Sequence, residues 1–174
     1  EIIKIPRLGV IGSHPTELPK YRGRTPIPWS ILKELKKSAL TFFFIEKGMD
    51  DGDILEQRFF EITDKDDAST LYKKIISLGK LMILNNLLLF QKKKICRIKQ
   101  KSKEFVEYWP KRSPKDGEID WSKSAKDIHR LIRATTHPYP GAFTTFNGKI
   151  IKIWKGDLDS GENGTPGKIM SVDN

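Results

Sequence analysis

The sequence predicts an α/β domain with a mainly parallel sheet. Two observations carry this. Short runs rich in aromatic and β-branched residues alternate with segments of helical period over roughly the first 90 residues. Clusters of Pro, Gly and Asp stand between them, where chain reversals belong.

Taken in order, Leu8 to Ser13 (Leu-Gly-Val-Ile-Gly-Ser) reads as a short buried strand leading into a loop at His14. Pro15, Pro19, Gly23, Pro26 and Pro28 punctuate that loop. Proline suits a first helical turn, so a helix is expected from Pro26–Pro28. Ile27, Ile31 and Leu35 mark its face to about Lys37. Ala39 to Glu46 reads as a strand, Gly48 to Asp53 as a turn, and Ile54 to Ile62 as a second strand. Acidic residues from Asp64 to Asp67 then open a long helix, Ala68 to Gln91, with Leu71, Ile75, Leu78, Met82 and Leu89 as its apolar stripe. Glu104 to Pro114 reads as irregular. A further helix is expected over Ser122–Thr135, broken by His137-Pro138-Tyr139-Pro140-Gly141. A hairpin follows, Ala142–Phe146 and Lys149–Trp154, turning at Asn147-Gly148. Residues 156–167, rich in Gly, Asp, Ser and Pro, read as a linker, and 168–174 as the opening strand of a further unit. Only about three strands precede the long helix, whereas a typical sheet has about five or six. With Glu1 in first position, an internal fragment lacking the start of its α/β domain is the expectation.

Composition excludes several classes. Nine Phe, four Trp and four Tyr in 174 residues supply a core, which argues against intrinsic disorder. Apolar runs such as Leu87–Phe90 fall far short of the roughly 20 residues of a membrane span, so no membrane partner is expected. The single cysteine, Cys96, allows no internal disulfide and suits a reducing, cytoplasmic compartment. One Cys with His14, His129 and His137 shows no zinc-ligand spacing, and no metal is expected. Net charge is +10, from 32 Lys and Arg against 22 Asp and Glu. Much of it sits in Lys92, Lys93, Lys94, Arg97, Lys99, Lys101 and Lys103, a solvated helix end or a polyanion site.

Two clusters carry chemistry. His14, directly after a strand, occupies the position where α/β sheets place ligands, and Arg22 and Arg24 nearby can grip phosphate or carboxylate. Asp50-Asp51-Gly52-Asp53 lacks the alternate-ligand pattern of a calcium loop. It is either an ordinary acidic turn or the source of one carboxylate aimed at His14, tuning it for acid–base work.

His14 to Trp29 (His-Pro-Thr-Glu-Leu-Pro-Lys-Tyr-Arg-Gly-Arg-Thr-Pro-Ile-Pro-Trp) resembles the central motif of formyltransferases that use 10-formyltetrahydrofolate. Three further marks of that family follow in order: the Asp50–Asp53 turn, Ile119-Asp120-Trp121 with Arg133-Ala134, and Pro138 to Phe143. The resemblance implies the later half of a Rossmann-like formyltransferase domain over 1–155, a linker, and the start of a small β-barrel at 168–174. It implies His14 and Asp50 as catalytic residues. Arg22, Gly23, Arg24, Asp51, Gly52 and Asp53 are the implied binding residues, with 10-formyltetrahydrofolate as co-substrate. The family's catalytic Asn falls on Gly12, which has no side chain to polarise a formyl oxygen; Ser13, a backbone amide or a group outside this chain are the candidates to replace it. The implied acceptor is a primary amine. Arg22-Gly23-Arg24 and Tyr139 to Phe143 look like enzymes acting on nucleotide-linked amino sugars; the basic charge and Lys152-Ile153-Trp154-Lys155 look like those acting on methionyl-tRNA. The sugar nucleotide is the favoured partner and tRNA the alternative, with a homodimer an open possibility for the complete protein. An inactive folate- or nucleotide-binding remnant and a basic RNA-binding module are the non-enzymatic readings.

Overall fold

The computed structural model describes residues 2–92, 94–100, 106–159 and 164–172. Its central sheet has three strands, β1 (Ile11–His14), β3 (Lys37–Phe44) and β4 (Ile54–Glu61), in the order β1-β3-β4. Both pairings are antiparallel, with Gly12 opposite Phe43 and His14 opposite Thr41. The expected mainly parallel sheet is thus corrected, although the α/β character stands. Parallel neighbours need a crossover that carries the chain back along a whole strand. The helix between β1 and β3, α1 (Pro26–Leu32), rises only about 10 Å, against about 26 Å for an eight-residue strand. The β3–β4 connection is a tight turn, which forces antiparallel pairing.

Helix α1 stops five residues earlier than its periodicity suggests. Glu34 takes a left-handed φ of 54°, Glu34 N–H donates to the Ile31 carbonyl, and Leu35 N–H donates back to Ser30. This is a Schellman stop, with Glu34 where glycine is usual. Helix α2 (Ala68–Gln91) has the expected bounds, opened by Asp67, whose carboxylate accepts from Thr70 N–H while the Thr70 hydroxyl accepts from Asp67 N–H. It lies on one face of the sheet. Leu40, Phe42, Phe44 and Leu55 pack there against Met82, Ile75, Leu78 and Phe90. Gly79 brings the helix down onto Leu40: a Cβ there would meet the leucine at 3.4 Å. Leu89, expected on the stripe, is exposed, because the helix turns Asn86 and Phe90 toward the sheet instead. A second core joins α1, α2 and α3 (Ala125–Thr135) through Ile27, Ile31, Leu71 and Ala134.

Two strands escape a periodicity argument because each is three residues long. β2 (Tyr21–Gly23) and β5 (Glu107–Trp109) form a separate parallel pair, so part of the stretch read as irregular is ordered. The hairpin β6 (Ala142–Phe146) and β7 (Lys149–Ile153) turns at Asn147 and Gly148, both at positive φ, as Asn-Gly predicts. Residues 168–172 form no strand; a strand needs a ladder partner, and none lies beside them among the described residues. Of the basic cluster, Lys93, Lys101 and Lys103 lie outside the described residues. Arg97 is engaged: it stacks on Phe44 at 3.7 Å and donates to the Leu8 carbonyl. No helix among the described residues is long and apolar enough to cross a membrane.

Candidate active site

Alternation along β3 divides the sheet into two faces. Leu40, Phe42 and Phe44 face α2, while Thr41 and Phe43 face the loop that follows β1. That loop is pinned from below. Thr41 Oγ1 donates to the carbonyl of fully buried Thr16, and Gln57 Nε2 donates to both the Leu18 carbonyl and Thr41 Oγ1. His14, the last residue of β1, is thereby fixed and only 6% exposed.

Its two ring nitrogens have different partners. Nε2 lies 3.0 Å from the Tyr21 carbonyl, which can only accept, so Nε2 carries a proton and donates. The same carbonyl accepts from Thr16 Oγ1. Nδ1 faces Asp50 Oδ2 at 3.8 Å, beyond hydrogen-bond reach. Nδ1 is therefore the unprotonated nitrogen of the neutral ring. Burial lowers the His14 pKa below its ordinary value, against the opposing pull of Asp50 and the Tyr21 carbonyl. The ring is neutral at pH 7, with its lone pair on Nδ1 facing a carboxylate. A proton gained there is held by that charge, which is a proton-transfer arrangement.

Asp50 is held in turn. Its backbone is left-handed, φ 53°, and Oδ2 accepts from Gly23 N–H at 2.9 Å. Gly52 is demanded by space, since a Cβ there would lie 1.8 Å from the Phe44 carbonyl oxygen. Phe44 N–H closes the turn on the Asp53 carbonyl at 2.8 Å. The two sequence clusters therefore meet: β2 supplies Gly23 N–H and the Tyr21 carbonyl to the Asp50–His14 pair. Asp51 is exposed outside this contact. Arg22 turns to Gln100 and the Tyr108 hydroxyl, whereas Arg24 is exposed at the end of β2.

Gly12 lies two residues before His14 on the same face. A Cβ there would sit 3.1 Å from the Phe43 ring and Ile45. Ser13, next along β1, alternates to the face opposite His14 and lines an apolar groove with Tyr72, Ile75 and Ile76. Two residues that the sequence does not mark stand beside the pair: Gln100 donates to the Asp50 and Gly52 carbonyls, and Trp109 stacks on Tyr21 at 4.6 Å. Gln100 stands in a stretch without periodicity, so only contacts across the fold reveal it. Among the described residues, no three His, Cys, Asp or Glu side chains gather as a metal-holding group.

Comparison with known proteins agrees with these marks. The family model described as "Formyl transferase" matches residues 1–87, and "Formyl transferase, C-terminal domain" matches residues 111–174. The chain is 40% identical to the bifunctional polymyxin resistance protein ArnA of Wigglesworthia glossinidia brevipalpis, over 98% of this chain and 26% of that protein. It is 37% identical to the methionyl-tRNA formyltransferase of Caldanaerobacter subterraneus subsp. tengcongensis, over 98% of this chain and 55% of that one. Among solved structures, the N-formyltransferase of Helicobacter canadensis, in complex with folinic acid and dTDP-3-aminofucose, superposes with TM-score 0.72 at 26% identity, covering 89% of this chain and 56% of its own. The chain thus spans about half, or about a quarter, of the length of these relatives.

Proposed function

Because this chain belongs to the formyl transferase family, we propose that the complete protein carrying it transfers a formyl group from 10-formyltetrahydrofolate to the primary amine of a nucleotide-linked amino sugar. The observation that carries the chemistry is buried His14 paired with half-buried Asp50, with Nδ1 unprotonated and facing the carboxylate. In this reading the amine nitrogen attacks the formyl carbon, and the carbonyl electrons move to oxygen. His14 Nδ1 takes the amine proton as the new C–N bond forms. The resulting imidazolium, balanced by Asp50, lies beside the oxyanion, a stabilisation of roughly 3–4 kcal/mol in comparable sites. The same proton then passes to the departing folate nitrogen as its bond to the formyl carbon breaks.

Support for the sugar acceptor comes from Arg22-Gly23-Arg24 and from the dTDP-3-aminofucose held by the Helicobacter canadensis relative. Arg24, the exposed member of the pair, is assigned to the acceptor's diphosphate. A second reading, methionyl-tRNA as acceptor, draws on the 37% identity to a methionyl-tRNA formyltransferase and on exposed Lys92, Lys94 and Lys99. The test offers the complete protein labelled 10-formyltetrahydrofolate with dTDP-3-aminofucose, with a panel of other nucleotide-linked amino sugars and, separately, with methionyl-tRNA. Label on a sugar, lost in His14→Ala and Asp50→Asn, is the expected result. Label on tRNA alone moves the assignment to the second reading, and label on neither rejects formyl transfer.

A further inference from the structure

Asp50 holds a left-handed backbone conformation opposite His14, and something must keep it there. Residues 94–100 return from α2 past the start of β4. Ile98 and Ile54 exchange two backbone hydrogen bonds, at 2.7 and 2.9 Å, immediately after the Asp50–Asp53 turn. Two residues later, the Gln100 carboxamide reaches into that turn. Nε2 donates to the Asp50 carbonyl at 2.8 Å and to the Gly52 carbonyl at 2.7 Å. Oε1 accepts from Arg22 Nη2 at 2.7 Å and Nε at 3.2 Å. The orientation of the amide is unambiguous: two carbonyls on one side can only accept, and a guanidinium on the other can only donate. All four hydrogen-bonding positions of the carboxamide are used.

Arg22 lies between Tyr21, whose carbonyl accepts from His14 Nε2–H, and Gly23, whose N–H donates to Asp50. Gln100 thus ties the strand that orients His14 to the turn that presents Asp50. We propose that Gln100 is a positioning residue that sets the distance between Asp50 and His14, with Arg22 acting through it; this rests on the formyl-transfer reading above. A carboxylate cannot do the same work. Glu would keep Arg22 but turn an acceptor toward two carbonyls.

The test uses the complete protein with whichever acceptor it formylates, dTDP-3-aminofucose first. Gln100→Ala, Gln100→Glu and Arg22→Ala are each expected to lower kcat at least tenfold, with KM for 10-formyltetrahydrofolate changed less than threefold. The signature is the pH profile. With Asp50 released, its upward pull on His14 is lost, and the acid inflection of kcat moves to lower pH in Gln100→Ala. In Gln100→Ala/Arg22→Ala the loss is expected to be no larger than in the worse single variant, as for two residues acting through one contact. Additive losses, or an unmoved inflection in the Ala variant despite a lower kcat, overturn the positioning role. Should Gln100→Ala fail to fold, Gln100→Glu decides: unimpaired kcat in that variant refutes the proposal. Loss of activity in His14→Ala and Asp50→Asn with wild-type behaviour in the Gln100 variants rejects this inference alone. Absence of formyl transfer in the unmodified protein rejects the reading beneath it.

Discussion

A Cβ built on Gly23 would lie 2.3 Å from the carbonyl oxygen of Trp109 and 2.8 Å from its nitrogen. Gly23 also sits at φ 109°, where side chains are strained. β2 can therefore approach β5 this closely only with glycine, and that approach aims Gly23 N–H at Asp50. Gly23→Ala is expected to cost roughly 1–3 kcal/mol in stability and to lower kcat for formyl transfer at least tenfold. Urea melts and steady-state kinetics of the complete protein check it. An alanine variant as active as the original would show that the Gly23–Asp50 contact is dispensable.

The neutral state of His14 gives a pH dependence with a definite sign. Burial lowers its pKa, so the proton-accepting form persists below the ordinary value of about 6.5. The rate is expected to hold from pH 7 downward through 6.5 and to fall only at lower pH. Folding is linked to the same shift. The unfolded chain binds the His14 proton more readily, so this group's contribution to stability shrinks as pH falls through about 6.5. Asp50→Asn removes an influence that raises the pKa, so NMR titration of the His14 ring should show its midpoint lower still. A midpoint that rises in Asp50→Asn contradicts the pairing.

These contacts show what a sequence can and cannot carry. That one carboxylate of the acidic turn could face His14 was legible, because both clusters stand where a strand-like run meets a turn; which of the three it is came only from the family resemblance, and the structure puts Asp50 at 3.8 Å. The bounds of the long helix and most of its buried face were legible, since Asp67 and the spacing of Leu71, Ile75, Leu78 and Met82 specify start and face locally, whereas Leu89 at its end proved exposed. Strand direction was not, because a period of two is the same for parallel and antiparallel neighbours; the short α1 decided it. Gln100 was not, because its four bonds reach residues 48 to 78 positions away, and nothing in its own neighbourhood signals them.

Gly12 offers a gain-of-function prediction. Its strand backbone accepts any side chain, but a Cβ would stand 3.1 Å from Phe43 and Ile45. Those are side chains that can shift by a few tenths of an ångström, at a cost of roughly 1–3 kcal/mol for overpacking. An amide donor lost from comparable sites costs about 100- to 1000-fold in kcat. Gly12→Asn is therefore expected to raise kcat, by about tenfold, while lowering the melting temperature. An unchanged or lower rate in a folded variant means that another group already serves the formyl oxygen.

Away from the site, Asp66 is buried, and its carboxylate accepts from Lys74 Nζ and Thr63 N–H at 2.8 Å, Thr63 Oγ1 at 2.9 Å and Thr70 Oγ1 at 3.0 Å. Burial works to raise its pKa, but these bonds outweigh it and hold the group at about 2. A depressed carboxylate stabilises the fold above its unfolded value of about 3.9 and loses that contribution as pH falls toward 2. Asp66→Asn is expected to cost roughly 2 kcal/mol at pH 7, within the range for hydrogen bonds to a charged group. The difference between variant and original should narrow below pH 4. Denaturant melts at pH 7 and pH 3 measure both; an equal gap at the two values contradicts the assignment.

Salt separates the two acceptors. Lys92 and Lys94 are exposed at the end of α2, and Lys99 is exposed where the following segment pairs with the start of β4. A tRNA acceptor held there would release counterions at each phosphate contact, and its affinity would fall with a log–log slope of roughly 0.7–0.9 per contact. A nucleotide sugar presents only its diphosphate, which the proposed reading assigns to Arg24. The slope of the acceptor KM against salt is then expected to be shallow, about two charges' worth or less. Reversing Lys92, Lys94 and Lys99 to Glu together should leave that KM within about twofold. The His14–Asp50 chemistry is common to both acceptors, so a several-fold rise in KM with a steep salt slope would transfer the acceptor assignment to tRNA and leave formyl transfer itself untouched.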